Sequence, residues 1–192
     1  MKTPAGRKAL SHERIVQSAS RVLRRDGFTG VGVADVMKSA GLTHGGFYAH
    51  FDSRDALLAE AIEAASLDSI ARIEAAMPQL QAQGMSAFRA LVEAYLSPQH
   101  IDDCEQGCPM PALCAEMPRQ APEVRGASRH ILKRMHGLVE RTLPAHAPPA
   151  AAWAVVGALS GAVQLARAFG DTDEGRAVLA QTKDELLARY DT

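Results

Sequence analysis

A glycine turn between two short helical segments is the feature that most constrains the fold of this 192-residue chain. Apolar residues with helical spacing predict a helix over about residues 33–40, and Gly41 follows as a helix stop. Beyond it, Phe47 and Phe51 stand four residues apart, so they share one face of a second helix. A helix, a short glycine turn and another helix form a helix-turn-helix pattern.

The second helix of this pattern has a polar side without bulky aliphatic residues. That side carries two imidazoles, one phenol and two glycines: His44, His50, Tyr48, Gly45 and Gly46. Polar tips can bond to phosphates and base edges, and glycine lets a backbone come close to a surface. We therefore expect this stretch to lie in a groove of nucleic acid, with Thr43 capping the start of its helix.

Apolar residues recur with helical spacing along most of the chain, without a strand pattern or an internal repeat. The fold class is therefore predicted to be all-α with about nine helices. Ser53 is expected to cap the long fourth helix and Pro78 to end it. The proline-rich residues 97–122 leave room only for short helical pieces, and a buried, almost wholly apolar helix follows at about residues 150–169.

Charge is distributed unevenly, although the whole chain has a net charge of −1. Residues 1–60 hold nine basic and six acidic residues, a net charge of +3, which leaves −4 for the remainder. Only the N-terminal part is thus suited to a polyanion. We divide the chain into a DNA-binding domain at residues 1–53, with a flexible basic arm at 1–11, and a helical domain at 54–192. Three basic side chains of the first helix are expected to lie on its solvated face, namely Arg21, Arg24 and Arg25.

Cysteine content and hydropathy indicate the compartment. Three cysteines do not make a disulfide framework, which favours a reducing setting. The N-terminus lacks the apolar core of a signal peptide, and polar residues interrupt the longest apolar run, residues 150–170. We expect a cytoplasmic protein without a membrane partner, and no complete motif for a cofactor, a metal or an enzymatic reaction is present.

Several short blocks stand in a fixed order along the first sixty residues: Asp26-Gly27-Phe28, Ala34-Asp35-Val36, Ala40 to Phe51, and Ser53 to Leu58. In order and spacing they resemble the TetR family of bacterial transcriptional repressors over roughly residues 10–60. The resemblance implies a three-helix DNA-binding head and a helical body that binds a small-molecule effector and forms a homodimer. It implies a regulator of a palindromic operator, either a repressor released by its effector or an activator.

The resemblance also assigns roles to single residues. Positions implied to meet bases are His44, Gly45 and Gly46, and those implied to contact phosphates are Tyr48, His50 and Arg54. Two positions depart from the family pattern, because Gly32 stands where a hydroxyl residue is usual and Ala34 where some members have a base-reading arginine. Base readout should therefore depend more on His44, the Thr43 hydroxyl and DNA shape.

An effector pocket between the helices of the body would be lined by large apolar residues. The candidates, each of which could equally be simple core packing, are Met77, Phe88, Tyr95, Met110, Met117, Met135 and Trp153.

Cys104 and Cys108 are four residues apart, and His100 is four before Cys104, so on a helix the three would share a face. Three interpretations stay open: inert cysteines, a sensor of electrophiles or oxidants, and part of a metal site. Rival functions are a thiol enzyme using Cys108 with His100 or His130, and a helical protein that does not bind DNA.

Overall fold

The computed structural model describes residues 4–191, and every regular element in that range is helical. The α-helices are α1 (Pro4–Gly30), α2 (Val33–Ser39), α3 (Arg54–Ala82), α4 (Ala87–Tyr95), α5 (Gln99–Asp102), α6 (Met110–Leu113), α7 (Pro122–Thr142), α8 (Ala151–Phe169) and α9 (Asp173–Tyr190). Two 3₁₀ helices lie at His44–Ala49 and Met117–Arg119. The predicted all-α fold class is confirmed, as are the short helical pieces in the proline-rich region.

The chain forms two compact units. The first contains the described residues up to Leu67 together with Glu105–Ile131, and the second contains Asp68–Cys104 together with the described residues from Leu132 onward. The first unit is therefore built from two separate stretches of sequence. The functional boundary predicted after residue 53 is a different division, and it stays a prediction.

In the first unit, α1 packs against both α2 and α6, and α2 packs against the 3₁₀ helix His44–Ala49. Most of the apolar stripe of α1 is buried, as its helical spacing predicts: Ile15, Val16, Ala19 and Leu23 are buried and Val22 is half-buried. Gly27 breaks the helical geometry of α1 with φ 74°, and Phe28 directly after it is buried in the core. The Phe28 N–H donates to the Glu116 carboxylate at 3.3 Å, which ties this break to the later stretch of the unit.

The N-terminal arm differs from the prediction. Helix α1 begins at Pro4, so residues 4–11, expected to be flexible, are helical. Proline suits the first turn of a helix because its missing N–H has no partner there, and Arg7, Lys8, Ala9 and Leu10 all favour helix. Lys2, which was also assigned to the arm, lies outside the described residues.

Helix α3 has the predicted start but not the predicted end. Ser53 Oγ accepts from the Ala56 N–H at 3.0 Å, which confirms the cap. The helix continues through Pro78 to Ala82, so the predicted stop is wrong. A stronger stop follows at Gly84, whose φ of 90° lets its N–H donate to the Gln81 carbonyl at 2.9 Å.

In the second unit, α8 packs along α9 and against α5, while α4 packs on α9. Two ion pairs join α4 to the C-terminal region: Lys183 to Glu93 at 2.6 Å, and Arg89 to Asp191 at 2.6 Å. Within the described residues, α8 alone is long and apolar enough to cross a membrane. Eight of its side chains are buried in this unit, including Leu159 and Val163, which is the pattern of a core helix.

Candidate nucleic-acid interface

The turn that ends α2 fixes where the next helix starts. Gly41 has φ 72°, its N–H donates to the Lys38 carbonyl at 2.9 Å, and the Leu42 N–H donates to the Met37 carbonyl at 2.9 Å. These are the two bonds of a Schellman turn, so the predicted helix stop is confirmed. The Arg14 guanidinium donates to the Ala40 carbonyl and braces the turn from α1.

The helix after this turn, His44–Ala49, is called the recognition helix below. It is a six-residue 3₁₀ helix rather than the two and a half turns of helix predicted after the Thr43 cap. Two adjacent glycines, Gly45 and Gly46, have low helix propensity, and short 3₁₀ segments tolerate them. Thr43 occupies the N-cap position but its side chain makes no cap, because the Gly46 N–H donates to the Thr43 backbone carbonyl at 3.0 Å.

The recognition helix is held from behind by aromatic packing. Phe47 and Phe51 are 2% and 3% exposed, and their rings stack with centroids 5.5 Å apart, which confirms their predicted core role. The His12 ring of α1 stacks on Phe51 at 4.5 Å and lies 6.0 Å from the His50 ring. Sequence reasoning missed His12, although it precedes Ile15 and Val16 by three and four residues and so extends the buried stripe of α1.

The opposite face of the recognition helix is open. Tyr48 is 75% exposed, and Thr43, His44 and Gly45 are exposed as well, while Gly46 is half-buried. A Cβ added at Gly45 would meet no atom within 4 Å, so the fold itself does not require glycine there. Four of the residues predicted to contact DNA, Thr43, His44, Gly45 and Tyr48, are thus brought together on one accessible surface.

His50 lies at the edge of this surface and is half-buried. Its Nδ1 is buried and has no hydrogen-bond partner within residues 4–191. Burial lowers the pKa of His50, and the charges of His12 and Lys8 lower it further. The imidazole is therefore neutral at neutral pH and offers a hydrogen bond rather than a positive charge.

Matches to known protein families cover this surface and about half of the chain beyond it. A family described as bacterial regulatory proteins, tetR family, matches residues 15–61. A second, tetracyclin repressor-like, C-terminal domain, matches residues 84–182, which is more than half of the chain. The chain belongs to the TetR family of bacterial regulatory proteins.

Relatives along the full length agree with this membership. An uncharacterized HTH-type transcriptional regulator of Mycobacterium tuberculosis is 28% identical over 187 residues, covering 92% of this chain and 94% of the relative. In fold, the chain is similar to a TetR transcriptional regulator from Chloroflexus aurantiacus, with a TM-score of 0.77, 20% identity and coverage of 95% and 94%. A TetR-family regulator from Agrobacterium tumefaciens gives a TM-score of 0.72, 20% identity and coverage of 95% and 98%. The protein is a DNA-binding transcriptional regulator of the helix-turn-helix type.

Three arginines of this TetR-family head bond to the protein itself. The half-buried Arg54, predicted to grip phosphate, donates from Nε to the Val31 carbonyl at 3.0 Å and from Nη2 to the Phe28 carbonyl. Arg24 is 2% exposed, so its predicted place on a solvated face is wrong. Its guanidinium donates to the carbonyls of Ser20, Ala65 and Gly107, while the exposed Arg25 pairs with Asp26 and Glu105.

The effector-pocket candidates are distributed over both units. Met110 and Met117 are buried in the first unit, and those buried in the second are Met77, Phe88, Tyr95 and Met135. Trp153 differs, because it is 51% exposed and its ring lies 4.4 Å from that of His136. Exposure places Trp153 on the surface of α8 rather than inside a pocket of the second unit.

Cys104 and Cys108 do not lie on one helix with His100. Helix α5 contains His100 but ends at Asp102, before both Cys104 and Cys108, so the three side chains do not share a helical face. Pro98, Gly107 and Pro109 break the segment and prevent a longer helix. The Cys104 thiol donates to the Ile101 carbonyl at 3.7 Å, and Cys108 is buried. No group of three metal-ligating side chains occurs in the part of the chain that the structure describes.

Cys114 is the exposed cysteine of the described residues. Partial burial of its thiol, together with nearby Cys108, raises the pKa of Cys114 to about 11. A raised pKa keeps the thiol protonated and unreactive, whereas sensing and nucleophilic cysteines need a thiolate. These residues therefore give no support to a thiol sensor or a thiol enzyme.

Proposed function

We propose that this TetR-family regulator is a cytoplasmic homodimeric repressor, which binds a palindromic operator through its recognition helix and is released by a small-molecule effector. One observation carries the DNA-binding part of the proposal: the recognition helix buries Phe47 and Phe51 while Tyr48 on its other side is 75% exposed. A helix anchored in this way can present its polar face to a groove without unfolding.

The exposed face has the chemistry that DNA recognition needs. Tyr48 and the half-buried His50 can hydrogen-bond to phosphate oxygens without sequence choice, which sets the register of the helix on the duplex. Thr43 and His44 are both exposed, and we expect them to meet base edges. Gly45 has open space where its Cβ would be, so its lack of a side chain lets the backbone approach DNA closely.

The surface of α8 fits a twofold partner. Gly161 lies near the middle of its exposed arc, and a Cβ there would meet no atom within 4 Å. Large apolar side chains flank that small residue: Trp153 on one side, and Leu165 and Phe169 on the other, at 51%, 57% and 53% exposure. Exposed apolar groups of this size mark protein interfaces, and a small central residue lets two helices pack closely. A second copy of α8 would supply that partner and set the spacing of the two recognition helices.

Release by an effector would be a shift between two populations of the dimer. In one state of the dimer the spacing of the recognition helices would not match that of the operator half-sites. An effector that binds this state more tightly lowers the affinity for the operator, and by linkage operator DNA lowers the affinity for the effector by the same factor. The candidates buried in the second unit, Met77, Phe88, Tyr95 and Met135, could line such a site within that unit.

The proposal is tested by selecting fragments of random duplex DNA with the purified protein. We expect an enriched inverted repeat, and binding that weakens steeply with salt. Tyr48→Ala should lower affinity for the selected sequence roughly 10- to 100-fold, since each half-site loses its phosphate contact. Tyr48→Phe, which loses only the hydroxyl, is the matched variant, and its affinity should lie between those of the wild type and Tyr48→Ala.

Circular dichroism must show both variants folded, which their exposed position favours. No enriched sequence, or equal affinity of wild type and Tyr48→Ala, would point to a helical protein that does not bind DNA through this face.

A further inference from the structure

The recognition helix carries no permanent positive charge of its own. Its six residues include no lysine or arginine, and His50 directly after it is neutral at neutral pH. DNA is nevertheless bound most strongly by proteins that bring lysine or arginine to its phosphates, because condensed counterions are then released. The charge that a DNA-binding surface needs must therefore come from another element of the first unit.

Arg54 is poorly placed to supply this charge, because its guanidinium is held by the protein. Its Nε donates to the Val31 carbonyl at 3.0 Å, and its Nη2 donates to the Phe28 carbonyl. Phe28 lies near the end of α1 and Val31 directly follows that helix, so both bonds fix the chain between α1 and α2. Turning the guanidinium toward a phosphate would leave two part-buried carbonyls without their donor, which is costly.

Another basic side chain lies on the correct face of α1. Between residues 4 and 60, the exposed basic side chains that are not held in such bonds are Arg7, Lys8, Arg21 and Lys38. Lys8 precedes His12 by four residues on α1, so these two side chains share one face of the helix. The His12 ring stacks on Phe51 at 4.5 Å and lies 6.0 Å from the His50 ring. Lys8 is thus one helical turn from a residue that packs against the end of the recognition helix.

An electrostatic effect agrees with this placement of Lys8. Burial is the main cause of the lowered pKa of His50, and the charges of His12 and Lys8 lower it further. A charge acts on an imidazole in this way only when it lies near it. His50 and Lys8 would then offer DNA two different groups, since His50 can form a hydrogen bond and Lys8 carries a full charge.

We propose that Lys8 of α1 is a phosphate contact of the DNA interface, and that Arg54 instead positions the chain between α1 and α2. The proposal rests on the proposed function, because it adds a contact to the same interface. Phosphates of one strand follow each other about every 3.4 Å along the DNA axis. A strand with one phosphate against Tyr48 or His50 therefore brings a neighbouring phosphate within reach of a lysine about 6 Å farther along α1. This contact strengthens binding to any sequence and reads no base.

The salt dependence of operator affinity tests the contact, because its slope counts the phosphates that cations neutralise. Fluorescence anisotropy measures binding of the intact chain to the selected inverted repeat between about 50 and 200 mM salt. Lys8→Gln should reduce the slope of log K against log salt by about 2, one contact for each half-site of the dimer. Lys8→Arg keeps the charge and should keep the slope. An unchanged slope in Lys8→Gln would overturn the proposal.

Matched variants separate a contact at Lys8 from a general effect of positive charge. Arg7→Gln removes the neighbouring charge, which lies about 100° around the axis of α1, and Arg21→Gln removes an exposed charge farther along the same helix. Both should reduce the slope by less than half as much as Lys8→Gln. Equal reductions for Arg7→Gln and Lys8→Gln would indicate non-specific attraction and would contradict a contact at Lys8.

Arg54→Gln tests the second half of the proposal. It should keep the wild-type slope but lower the free energy of unfolding in urea, because the Val31 and Phe28 carbonyls lose their donor. A reduced slope for Arg54→Gln, with an unchanged slope for Lys8→Gln, would make Arg54 the phosphate contact and reject the proposal.

Sequence choice gives a readout that a merely structural role of Lys8 would not produce. Lys8→Gln should weaken binding to the selected repeat and to a shuffled duplex by the same factor, roughly 10-fold at low salt. A changed ratio of the two affinities would contradict a phosphate contact. Circular dichroism and urea unfolding should match the wild type, because the side chain is exposed.

The same titrations distinguish this proposal from the proposed function. If the wild type binds the repeat and Lys8→Gln binds it with the same affinity and slope, the contact at Lys8 is rejected and the proposed function stands. If the wild type binds neither duplex, the proposed function itself is rejected.

Discussion

Acidification from neutral pH to pH 4 should destabilise the protein by roughly 3 kcal/mol through one side chain, His100. Its ring is 8% exposed and packs edge-on against Tyr95 with centroids 4.8 Å apart. Nδ1 lies 2.7 Å from the Tyr95 carbonyl, which can only accept, so His100 carries its hydrogen on Nδ1. Burial lowers the pKa of His100 to about 4, and the charge of Arg167 acts in the same direction, against the Tyr95 carbonyl and Asp103.

The sign and size follow from proton linkage. The pKa of His100 falls from 6.5 in the unfolded chain to about 4 in the folded protein, so between these values the unfolded chain binds more protons. The contribution is complete above pH 6.5 and is lost as the pH falls toward 4. A shift of about 2.5 pH units, at about 1.4 kcal/mol per unit, gives the roughly 3 kcal/mol stated above.

The assay is urea unfolding at a series of pH values, for the wild type and for His100→Asn. Asparagine offers an amide N–H near the position of Nδ1 and does not titrate, so its free energy of unfolding should fall less steeply on acidification. His146→Asn, at an exposed histidine, should follow the wild-type curve. The pKa of His50 is also lowered, but this residue is present in all three proteins, so its contribution cancels when their unfolding free energies are compared. Parallel curves for wild type and His100→Asn would refute the reasoning.

Four further outcomes test the interface and the dimer. Phe47→Ala should cost about 3–5 kcal/mol in the free energy of unfolding, measured by urea denaturation, because it empties a fully buried site. Gly41→Ala should cost at least about 1 kcal/mol, since φ is 72° and the new Cβ would lie 2.7 Å from Arg14 Nη2. Gly45→Ala should leave stability within about 0.5 kcal/mol but weaken operator binding in a gel-shift titration; equal binding would remove the case for close approach there. Gly161→Glu should shift the protein from dimer to monomer in sedimentation velocity, and a stable dimer would exclude this face of α8 as the interface.

Local physics accounts for most of what the sequence predicted correctly. The stop at Gly41, the cap at Ser53 and the burial of Phe47 and Phe51 each depend on residues within four or five positions of one another. Such features are fixed by backbone conformation and helical periodicity, which a sequence shows directly. The all-α fold class follows from the same periodicities added along the chain.

The wrong predictions came from signals that compete. Pro78 predicts a helix stop, but the helix continues to Ala82, because Gly84 is the stronger stop. Thr43 predicts a side-chain cap, but in the 3₁₀ turn the Gly46 N–H donates to the Thr43 backbone carbonyl instead. A sequence shows that both options exist without showing which has the lower free energy.

Contacts between distant residues could not be predicted at all. The bond from Arg24 to the Gly107 carbonyl spans 83 residues, and that from His12 to Glu60 spans 48. Burial of Arg24 and the role of His12 depend on these partners, which helical periodicity does not specify. An open groove lined by Val16 of α1, Glu60 of α3 and His130 of α7 also depends on residues far apart in the sequence, so no sequence motif predicts it.

The two-part composition of the first unit limits how this protein can be made and engineered. The nascent chain cannot complete the unit until the ribosome has added residue 131, because the partners of Arg24 and Phe28 lie at Gly107 and Glu116. A transplanted fragment ending at Leu67 would leave the Arg24 guanidinium and the α6-facing side of α1 uncovered in water. Chimaeric regulators built from this protein should therefore take both stretches together.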